Sequence, residues 1–596
     1  MTEKIVNNFS LTIATVNGSG SQTANVTLLR ALFKMGIPVS GKNLFPSNIQ
    51  GLPTWYTIRL SRDGFTARRD EAEVVVTLNP ASFARDLASV PPGGAFFYAD
   101  DIKPPIDRKD IAAYPMPVKA LARTADVSPS LREYIANMVY VGVVAHVLGI
   151  EMEAVKQALS FHFKGKESPV NSNFGVVQAA ADWAKQNLTK SDPYFVEPMD
   201  KTSGLIMADG NTAAAIGSVY GGVQFAAWYP ITPASSLVET LNVYLPQLRK
   251  TKDGKATYAV LQAEDELAAI GMTVGAGWGG LRAMTSTSGP GLSLMAEYAG
   301  LAYYSETPIV VWDVQRIGPS TGLPTRTAQG DLTETYFLSH GDKQHVLLLP
   351  GSVQECFEFG WKAFDLAERL QTPIFVLSDL DLGMNQWMTQ PFEYPDTDMD
   401  RGKILWEADL EKSNGVWARY KDVDGDGIPW RTVPGNAHPA SAWLGRGTGH
   451  DENARYSEDS KTWEANMARL KKKYETARTL IPAPVIETAR GAKIGIIAYG
   501  STAPAVDEAR VLLEQANGPK TAYLRMRALP CTKDVHEFVK KYERIYIVEA
   551  NRDGQMKQIL SMAMPDQAPK FRSACHSDGL PLTAAWVRDA ILEQEK

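Results

Sequence analysis

The stretch FAAWYPITPASS, residues 225–236, is the part of the sequence that decides the fold class. Its first half, Phe225 to Pro230, is an apolar segment typical of a buried strand. The two prolines then stiffen a loop and remove backbone donors, and Ser235 or Ser236 can cap a following helix. A strand that runs through a stiff loop into a helix is the unit of an open α/β sheet, in which ligands bind beyond the carboxyl ends of the strands. The local pattern fits two interpretations equally: a loop that orients a small polar substrate through Thr232, and a capped turn that binds nothing.

The segments around this stretch repeat the same alternation of strand-like and helix-like patterns. They are residues 210–224, 257–260, 264–277, 283–285, 308–313 and 373–379. Strands that alternate with helices indicate a mostly parallel sheet. The sequence therefore predicts an α/β domain over residues 200–385.

Two further α/β regions flank this domain, separated from it on one side by an insertion. In residues 1–190 we predict strands at 9–16, 56–60, 74–78 and 95–99, helices at 23–35, 131–148, 152–161 and 178–188, and a polar connection at 165–172. In residues 488–596 we predict strands at 493–500, 521–524 and 544–549 and a helix at 503–515. Residues 386–487 are polar, rich in Trp, Gly and Asp and weakly periodic, so we interpret them as an insertion.

Composition excludes several classes of protein. The chain has 596 residues, 44% hydrophobic and 21% charged, with a net charge of -6. These values exclude a disordered, collagen-like or coiled-coil chain and predict no general attraction to nucleic acid or anionic membranes. The start of the sequence lacks the features of a signal peptide, and no window approaches about 18 apolar residues. We therefore expect a cytoplasmic enzyme or enzyme subunit that does not span a membrane.

The cysteines argue against a metal centre or cluster held by this chain alone. Cys356, Cys531 and Cys575 are far apart in sequence, whereas zinc and iron–sulfur sites need about four soft ligands. Residues 422–427, DVDGDG, resemble the start of a calcium loop. Position twelve of that loop would be Val433 rather than Glu, so a polar turn is favoured.

Residues 18–22, GSGSQ, lie between a predicted strand and a predicted helix. Glycines in that place let the backbone approach a phosphate, but Thr23 stands where the third glycine of the dinucleotide fingerprint is expected. A tight structural turn is favoured over contact with a nucleotide or coenzyme A.

Three other loops carry residues suited to catalysis or binding. Glu264–Glu266 precedes a helix rich in small residues, TSTSGPG at 285–291 is rich in hydroxyls, and QRIGPSTGLPTRT at 315–327 holds two arginines. Arginine binds a carboxylate at two points, which is more directional than the contact a lysine makes. The alternatives are ordinary: acidic residues are common at helix N-termini, and a Gly/Pro loop can be a solvated connection.

Together these motifs resemble the α subunit of the 2-oxoacid:ferredoxin oxidoreductases. The resemblance rests on YPITP at 229–233, the Glu266 segment, TSGPG at 287–291 and the QR…TGLPT loop at 315–325. It is nearest to the 2-oxoglutarate type with a fused N-terminal γ-like domain. It implies a γ-like domain at 1–190, a pyrimidine-binding domain at 200–385, the insertion at 386–487 and a transketolase C-terminal-like domain at 488–596.

The resemblance also implies thiamine diphosphate chemistry shared between two chains. A β subunit would hold the diphosphate, Mg²⁺ and a [4Fe–4S] cluster, coenzyme A would be a co-substrate, and ferredoxin would carry electrons away from a dimer of αβ dimers. The implied reaction converts 2-oxoglutarate to succinyl-CoA and CO₂, and in reverse it fixes CO₂. Alternatives are pyruvate or a branched-chain 2-oxoacid as substrate, a thiamine-dependent subunit without redox chemistry, and a non-catalytic scaffold.

The implied site residues follow from the same motifs. Glu266, chosen over Glu264, would bind the aminopyrimidine of the cofactor, and Thr232 and Arg316 would hold the 1-carboxylate and 2-oxo group of the substrate. The remaining expected contacts are Tyr229, Thr325 and Arg326 with the substrate and Ser288 and Gly289 with the cofactor, and no metal is expected on this chain. Arg326 would pair with the second carboxylate of 2-oxoglutarate; the alternative is that it faces the β subunit or solvent.

Overall fold

The computed structural model describes residues 3–47, 51–102, 106–123 and 127–596, and the chain forms two compact units. The first unit comprises residues 1–208 with two later segments, 385–391 and 583–585. The second unit comprises residues 209–384, 392–582 and 586–596.

Strands and helices are numbered here in chain order. The strands are β1 (Ile5–Val6), β2 (Asn8–Val16), β3 (Val39–Leu44), β4 (Pro53–Ser61), β5 (Val74–Thr77), β6 (Ala95–Ala99), β7 (Ala112–Met116), β8 (Tyr194–Phe195), β9 (Ile206–Ala208), β10 (Phe225–Trp228), β11 (Ala259–Gln262), β12 (Ala283–Thr287), β13 (Ile309–Gln315), β14 (Val346–Leu348), β15 (Pro373–Asp379), β16 (Trp387–Thr389), β17 (Val485–Glu487), β18 (Ile494–Tyr499), β19 (Thr521–Met526), β20 (Ala528–Leu529), β21 (Arg544–Glu549) and β22 (Phe571–Cys575). The helices are α1 (Ser21–Lys34), α2 (Phe83–Ser89), α3 (Val118–Ala122), α4 (Pro129–Ile135), α5 (Met138–Leu148), α6 (Met152–His162), α7 (Glu167–Asn187), α8 (Gly210–Tyr220), α9 (Ser235–Leu248), α10 (Glu266–Trp278), α11 (Gly289–Leu294), α12 (Ala296–Tyr304), α13 (Leu332–Tyr336), α14 (Val353–Leu370), α15 (Leu380–Met384), α16 (Glu407–Lys412), α17 (Ser460–Ala477), α18 (Ala503–Gln515), α19 (Lys533–Lys541), α20 (Gln555–Ala563) and α21 (Ala584–Gln594).

The first unit is built on a sheet of order β3-β4-β2-β5-β6-β7. Strands β3, β4 and β2 are antiparallel neighbours, whereas β2, β5, β6 and β7 run parallel. Helix α5 is apolar and nearly fully buried, which its sequence MVYVGVVAHVL explains, because a helix with apolar residues all round must pack in a core. The four strands predicted in this region and the helices near 23–35 and 152–161 are confirmed within a few residues.

The second unit contains two sheets. The larger has the order β11-β10-β12-β13-β15-β14-β20 and is parallel except at the β14–β20 pair. The smaller has the order β17-β19-β18-β21-β22 and is parallel except at the β17–β19 pair. The mostly parallel sheet and the α/β class predicted from the alternation are confirmed; the residue boundaries of the four predicted domains stay a prediction.

Two predicted segments were wrong in detail. The connection at 165–172 is the start of helix α7, in which Val170, Asn173 and Val177 bury one face and Pro169 is tolerated in the first turn. The helix predicted over 131–148 is in fact two helices: α4 ends at Ile135, and α5 begins at Met138.

The insertion also holds more structure than its composition suggested. Helix α17 buries Arg469 and Lys473 because both reach the buried carboxylate of Glu306, at 3.0 Å from Arg469 and 2.8 Å from Lys473. Charged residues on a buried face conceal the apolar period from sequence analysis. No helix in the part of the chain that the structure describes has both the length and the hydropathy needed to cross a membrane.

Candidate functional site

The loops singled out in the sequence follow four neighbouring strands of the larger sheet. Strands β11, β10, β12 and β13 are adjacent and parallel, so their carboxyl ends lie at one edge. The loops that leave this edge carry Glu266, Thr232, Ser288 and Arg316 in that order. The carboxyl edge of a parallel sheet is where ligands bind in such folds.

Arg316 and Thr232 are in direct contact. The Nη1 atom of Arg316 donates a hydrogen bond of 2.7 Å to the backbone oxygen of Thr232. Arg316 is 7% exposed, and burial lowers its pKa; a guanidinium nevertheless stays charged because its ordinary pKa is above about 12. Its Nε is buried and has no hydrogen-bond acceptor among the described residues. The structure thus brings together the two residues expected to hold a 2-oxoacid, and their roles stay a prediction.

The loop that carries Thr232 is fixed from behind by Asn211. The side-chain amide of Asn211 donates to the backbone oxygen of Pro233 at 2.9 Å and to the Oγ of Ser236 at 2.8 Å. Asn211 lies in the first turn of α8 and is buried. Sequence analysis missed it because it precedes the loop by about a helix and a strand. Tyr229, at the start of the loop, is 38% exposed and open to a ligand or a partner chain.

Glu266 is the first residue of α10 and is buried, whereas Glu264 is exposed. Asp265 caps the helix by accepting a 2.7 Å hydrogen bond from the backbone nitrogen of Ala268. The Glu266 carboxylate makes no hydrogen bond or ion pair with any described residue. A Cβ on Gly291 would come within 2.8 Å of the Glu266 Cγ, so only glycine leaves room beside this side chain. A buried acceptor without a protein partner fits a ligand N–H such as that of an aminopyrimidine.

Ser288 and Gly289 line the same edge at the end of β12. Ser288 is fully buried, and among the described residues its Oγ has no hydrogen-bond partner. A Cβ on Gly289 would lie 2.8 Å from both carboxyl oxygens of Asp331. The close contact of Asp331 therefore requires glycine at position 289, independently of any ligand.

The loop after Arg316 folds back as a short hairpin. Ile317 bridges Leu323, and its backbone nitrogen donates to the oxygen of Arg326 at 3.0 Å. The Arg326 Nη1 donates to both the backbone oxygen and the Oγ1 of Thr325, at 2.9 and 3.0 Å. The guanidinium is therefore oriented by its own loop, and its expected contact with a substrate carboxylate stays a prediction.

The two weaker motifs have local explanations. Gly18 and Gly20 both have positive φ, at 84° and 78°, and Tyr134 packs so closely on Gly20 that a Cβ there would lie 2.9 Å from its ring. These contacts account for the glycines as a tight turn, the interpretation favoured above. In the loop at 422–427, Lys403 pairs with Asp424 and Asp426 at 2.6 and 2.8 Å, so both carboxylates have a protein partner.

The acidic residues, histidines and cysteines of residues 3–47, 51–102, 106–123 and 127–596 are dispersed. No three His, Cys, Asp or Glu side chains in these ranges are grouped so that they could hold a metal ion. Cys356 and Cys531 are buried and Cys575 is partly buried, each as a free thiol.

Two buried carboxyl groups, one in β13 and one just before α13, were not identified from the sequence. Asp313 lies in β13 and is fully buried, and Asp331 precedes α13 and is nearly so. Desolvation by burial is the main cause that raises both pKa values, that of Asp331 to about 7 and that of Asp313 well above its usual range. The available signal was an aspartate inside an otherwise apolar strand, IVVWDVQ, where an unpaired charge is costly.

Most of the chain matches proteins of one enzyme family. Residues 216–414 match the family model described as pyruvate flavodoxin/ferredoxin oxidoreductase, thiamine diphosphate-binding, and residues 10–183 match that of pyruvate ferredoxin/flavodoxin oxidoreductase. The chain is 34% identical to 2-oxoacid:ferredoxin oxidoreductase 1, subunit alpha, of Sulfurisphaera tokodaii, over 74% of this chain and 69% of that protein. It is 33% identical to 2-oxoglutarate synthase subunit KorA of Methanothermobacter thermautotrophicus, over 62% of this chain and 94% of that protein.

A solved structure matches nearly the whole chain. It is the 2-oxoglutarate:ferredoxin oxidoreductase from Magnetococcus marinus with 2-oxoglutarate, coenzyme A and succinyl-CoA bound. The match has a TM-score of 0.87 at 28% sequence identity and covers 99% of each chain. The resemblance stated from the motifs is therefore confirmed at the level of the family.

Proposed function

The chain belongs to the family of 2-oxoacid:ferredoxin oxidoreductase α subunits, and from that premise we propose that its substrate is 2-oxoglutarate. The reaction consumes 2-oxoglutarate, coenzyme A and two oxidised ferredoxins, and it yields succinyl-CoA, CO₂, two reduced ferredoxins and one proton. Run in reverse with a strongly reducing ferredoxin, it fixes CO₂. Support for the substrate comes from the KorA relative and from the ligands named for the solved structure that matches the whole chain.

The observation that carries the proposal is the contact of Arg316 with the Thr232 loop, on the same sheet edge as the unpaired Glu266 carboxylate. A buried guanidinium with a spare Nε donor suits the 1-carboxylate that all 2-oxoacids share. Holding the substrate in one orientation lowers the barrier by several kcal/mol, up to about 7–11 kcal/mol in ideal cases.

Thiamine diphosphate, when bound, supplies the carbon nucleophile that 2-oxoacid decarboxylation requires. Glu266 would hold the aminopyrimidine through its free carboxylate oxygens, and Ser288 and Gly289 would border it. Glu266 is buried, so a charge-assisted hydrogen bond to that ring would be worth about 1.5–3 kcal/mol. Thr232, Arg316 and Thr325 would orient the substrate, with Tyr229 at the mouth of the site.

The name of the family implies a complex of several subunits. We propose that a β subunit contributes the diphosphate site, Mg²⁺ and a [4Fe–4S] cluster, that ferredoxin accepts the electrons, and that two αβ pairs assemble together. The cytoplasmic location expected from the sequence stays a prediction.

The test is an assay of the purified complex with 2-oxoglutarate, pyruvate and a branched-chain 2-oxoacid. We expect dye or ferredoxin reduction that requires coenzyme A and has the highest kcat/KM with 2-oxoglutarate. CO₂ release without reduction of an acceptor would favour the non-redox alternative, and a complex inactive with all three substrates would contradict the proposal.

Substrate choice is tested at Arg326. If its guanidinium pairs with the second carboxylate of 2-oxoglutarate, Arg326→Ala lowers kcat/KM more for 2-oxoglutarate than for pyruvate, because pyruvate lacks that charge. Arg249→Ala is the matched control, since Arg249 donates to the backbone oxygen of Val219 away from this edge. Equal losses on both substrates would assign the recognition of the second carboxylate elsewhere.

A further inference from the structure

The loop that carries Thr232 is held by donors from two different elements. Arg316, which follows β13, donates to the backbone oxygen of Thr232 at 2.7 Å. Asn211, in the first turn of α8, donates from its Nδ2 to the backbone oxygen of Pro233 at 2.9 Å and to the Oγ of Ser236 at 2.8 Å. Two successive carbonyl oxygens of the loop are thus each bound by a buried side chain.

The loop depends on these donors because its sequence gives it few of its own. Pro230 and Pro233 have no backbone N–H. The backbone nitrogens of Ala234 and Ser235 both donate to one oxygen, that of Ile231, at 2.8 and 3.1 Å. Pro233 is buried, and a buried carbonyl without a donor costs free energy. The amide of Asn211 meets that need.

The orientation of the Asn211 amide is fixed by its surroundings. The Pro233 oxygen can only accept a hydrogen bond, so the amide nitrogen rather than the amide oxygen must face it. A Cβ on Gly383 would lie 2.8 Å from the Oδ1 of Asn211, so the amide packs closely against α15. Asn211 is 1% exposed, and its contacts with the loop are therefore shielded from water.

We propose that Asn211 is a positioning residue of the substrate site: by fixing Pro233 and Ser236, it keeps the neighbouring Thr232 in place for Arg316. A shift of Pro233 would carry the Thr232 oxygen with it, away from the guanidinium. With the loop fixed, Arg316 is oriented before the 2-oxoacid arrives, so less freedom is lost when the substrate carboxylate binds. This inference rests on the roles proposed for Thr232 and Arg316.

A purely structural role for Asn211 would have different consequences. Supplying a donor to the buried Pro233 oxygen would then matter for the stability of the fold, and any loss of activity would be independent of Arg316. Positioning makes the losses at Asn211 and Arg316 depend on each other, because both residues act on the same loop.

The experiment measures 2-oxoglutarate-dependent reduction of ferredoxin or a dye by the complex with Asn211→Ala, Arg316→Lys or both changes. Asn211→Ala should lower kcat/KM about tenfold, because two hydrogen bonds to the loop are lost. The double variant should lose less than the product of the two single losses, by about threefold or more. Losses that multiply, or an unchanged kcat/KM in Asn211→Ala, would overturn the proposal.

A milder variant keeps the proposal testable if Asn211→Ala fails to assemble. Ser236→Ala removes one of the two acceptors of the Asn211 amide and leaves the bond to Pro233. We expect a loss in kcat/KM of about threefold, and a smaller loss when Arg316 is already lysine. The same loss in both backgrounds would overturn the proposal.

Asn173→Ala is the matched control. Asn173 is a buried residue of α7, and its side-chain amide also donates to the backbone oxygen of a proline, Pro169, at 2.8 Å. That contact lies within one helix and holds no loop of the site, so kcat/KM should stay at the wild-type value. A loss as large as that of Asn211→Ala would show a general effect of removing a buried amide and would overturn the proposal.

Hydrogen exchange tests the restraint on the loop without activity. In the complex without substrate, the backbone amides of Ala234 and Ser235 should exchange about tenfold faster in Asn211→Ala than in the wild type, because their bonds to Ile231 open more often. Unchanged exchange would overturn the proposal whatever the substrate is. If the wild-type complex reduced no acceptor with any 2-oxoacid, the proposed function would fail separately, and the exchange rates would then decide whether Asn211 restrains the loop.

Discussion

Replacement of Arg316 by lysine is the sharpest test of the substrate site. The Nη1 of Arg316 donates a hydrogen bond of 2.7 Å to the backbone oxygen of Thr232, and its buried Nε has no acceptor among the described residues. An ammonium is a single point charge and cannot make both contacts in one plane. The loss of one charge-assisted hydrogen bond costs about 1.5–3 kcal/mol, which corresponds to about 10- to 150-fold in kcat/KM.

The assay is 2-oxoacid-dependent reduction of ferredoxin or a viologen dye by the complex, measured with several substrates. Every 2-oxoacid has the same 1-carboxylate, so we expect losses of similar size with all of them. Arg249→Lys provides a matched control for an arginine that donates to a backbone oxygen, at 3.2 Å from Val219. An unchanged kcat/KM in Arg316→Lys would refute the reasoning, and Arg326 would be the next arginine of the loop to test.

The remaining predictions concern the carboxylate proposed to bind the cofactor and one buried group of ion pairs. Glu266→Gln should abolish 2-oxoacid turnover without unfolding the chain, because the amide lacks the carboxylate charge. The control is Glu264→Gln at an exposed position, which should keep near-normal turnover. The opposite pattern in a steady-state assay would show that the wrong residue was chosen. Glu355→Ala should lower the free energy of unfolding by about 3–5 kcal/mol. The reason is that the buried carboxylate accepts hydrogen bonds from Arg525 at 2.9 Å and from Arg527 at 2.6 Å. A urea unfolding midpoint equal to that of the wild type would contradict this prediction.

The sequence predicted the sheet edge of the site better than the groups that support it. Strands and stiff loops are local patterns, and the carboxyl ends of parallel strands lie at one edge of the sheet. Glu266, Thr232 and Arg316 could therefore be grouped from the sequence alone. Asn211 and Asp331 could not be, because nothing in their own segments shows which loop they will contact. Buried charge also concealed structure, since Arg469 and Lys473 of α17 pair with the buried Glu306 and gave the segment no apolar period from which a helix could be predicted.

The smaller sheet of the second unit holds the loop that leads to Asp331 through hydrogen bonds to Gln329. The side chain of Gln329 donates to the backbone oxygen of Tyr499 at 2.8 Å and accepts from the backbone nitrogen of Ala550 at 2.9 Å. Asn551 donates to the backbone oxygen of Gln329 at 3.0 Å. Gln329 is two residues before Asp331 and is buried, so these bonds to the ends of β18 and β21 fix where the Asp331 carboxyl group can lie. The strands that contribute no loop to the candidate site therefore set the position of the Asp331 carboxyl group, which packs against Gly289, and this is a physical reason for both sheets to belong to one compact unit.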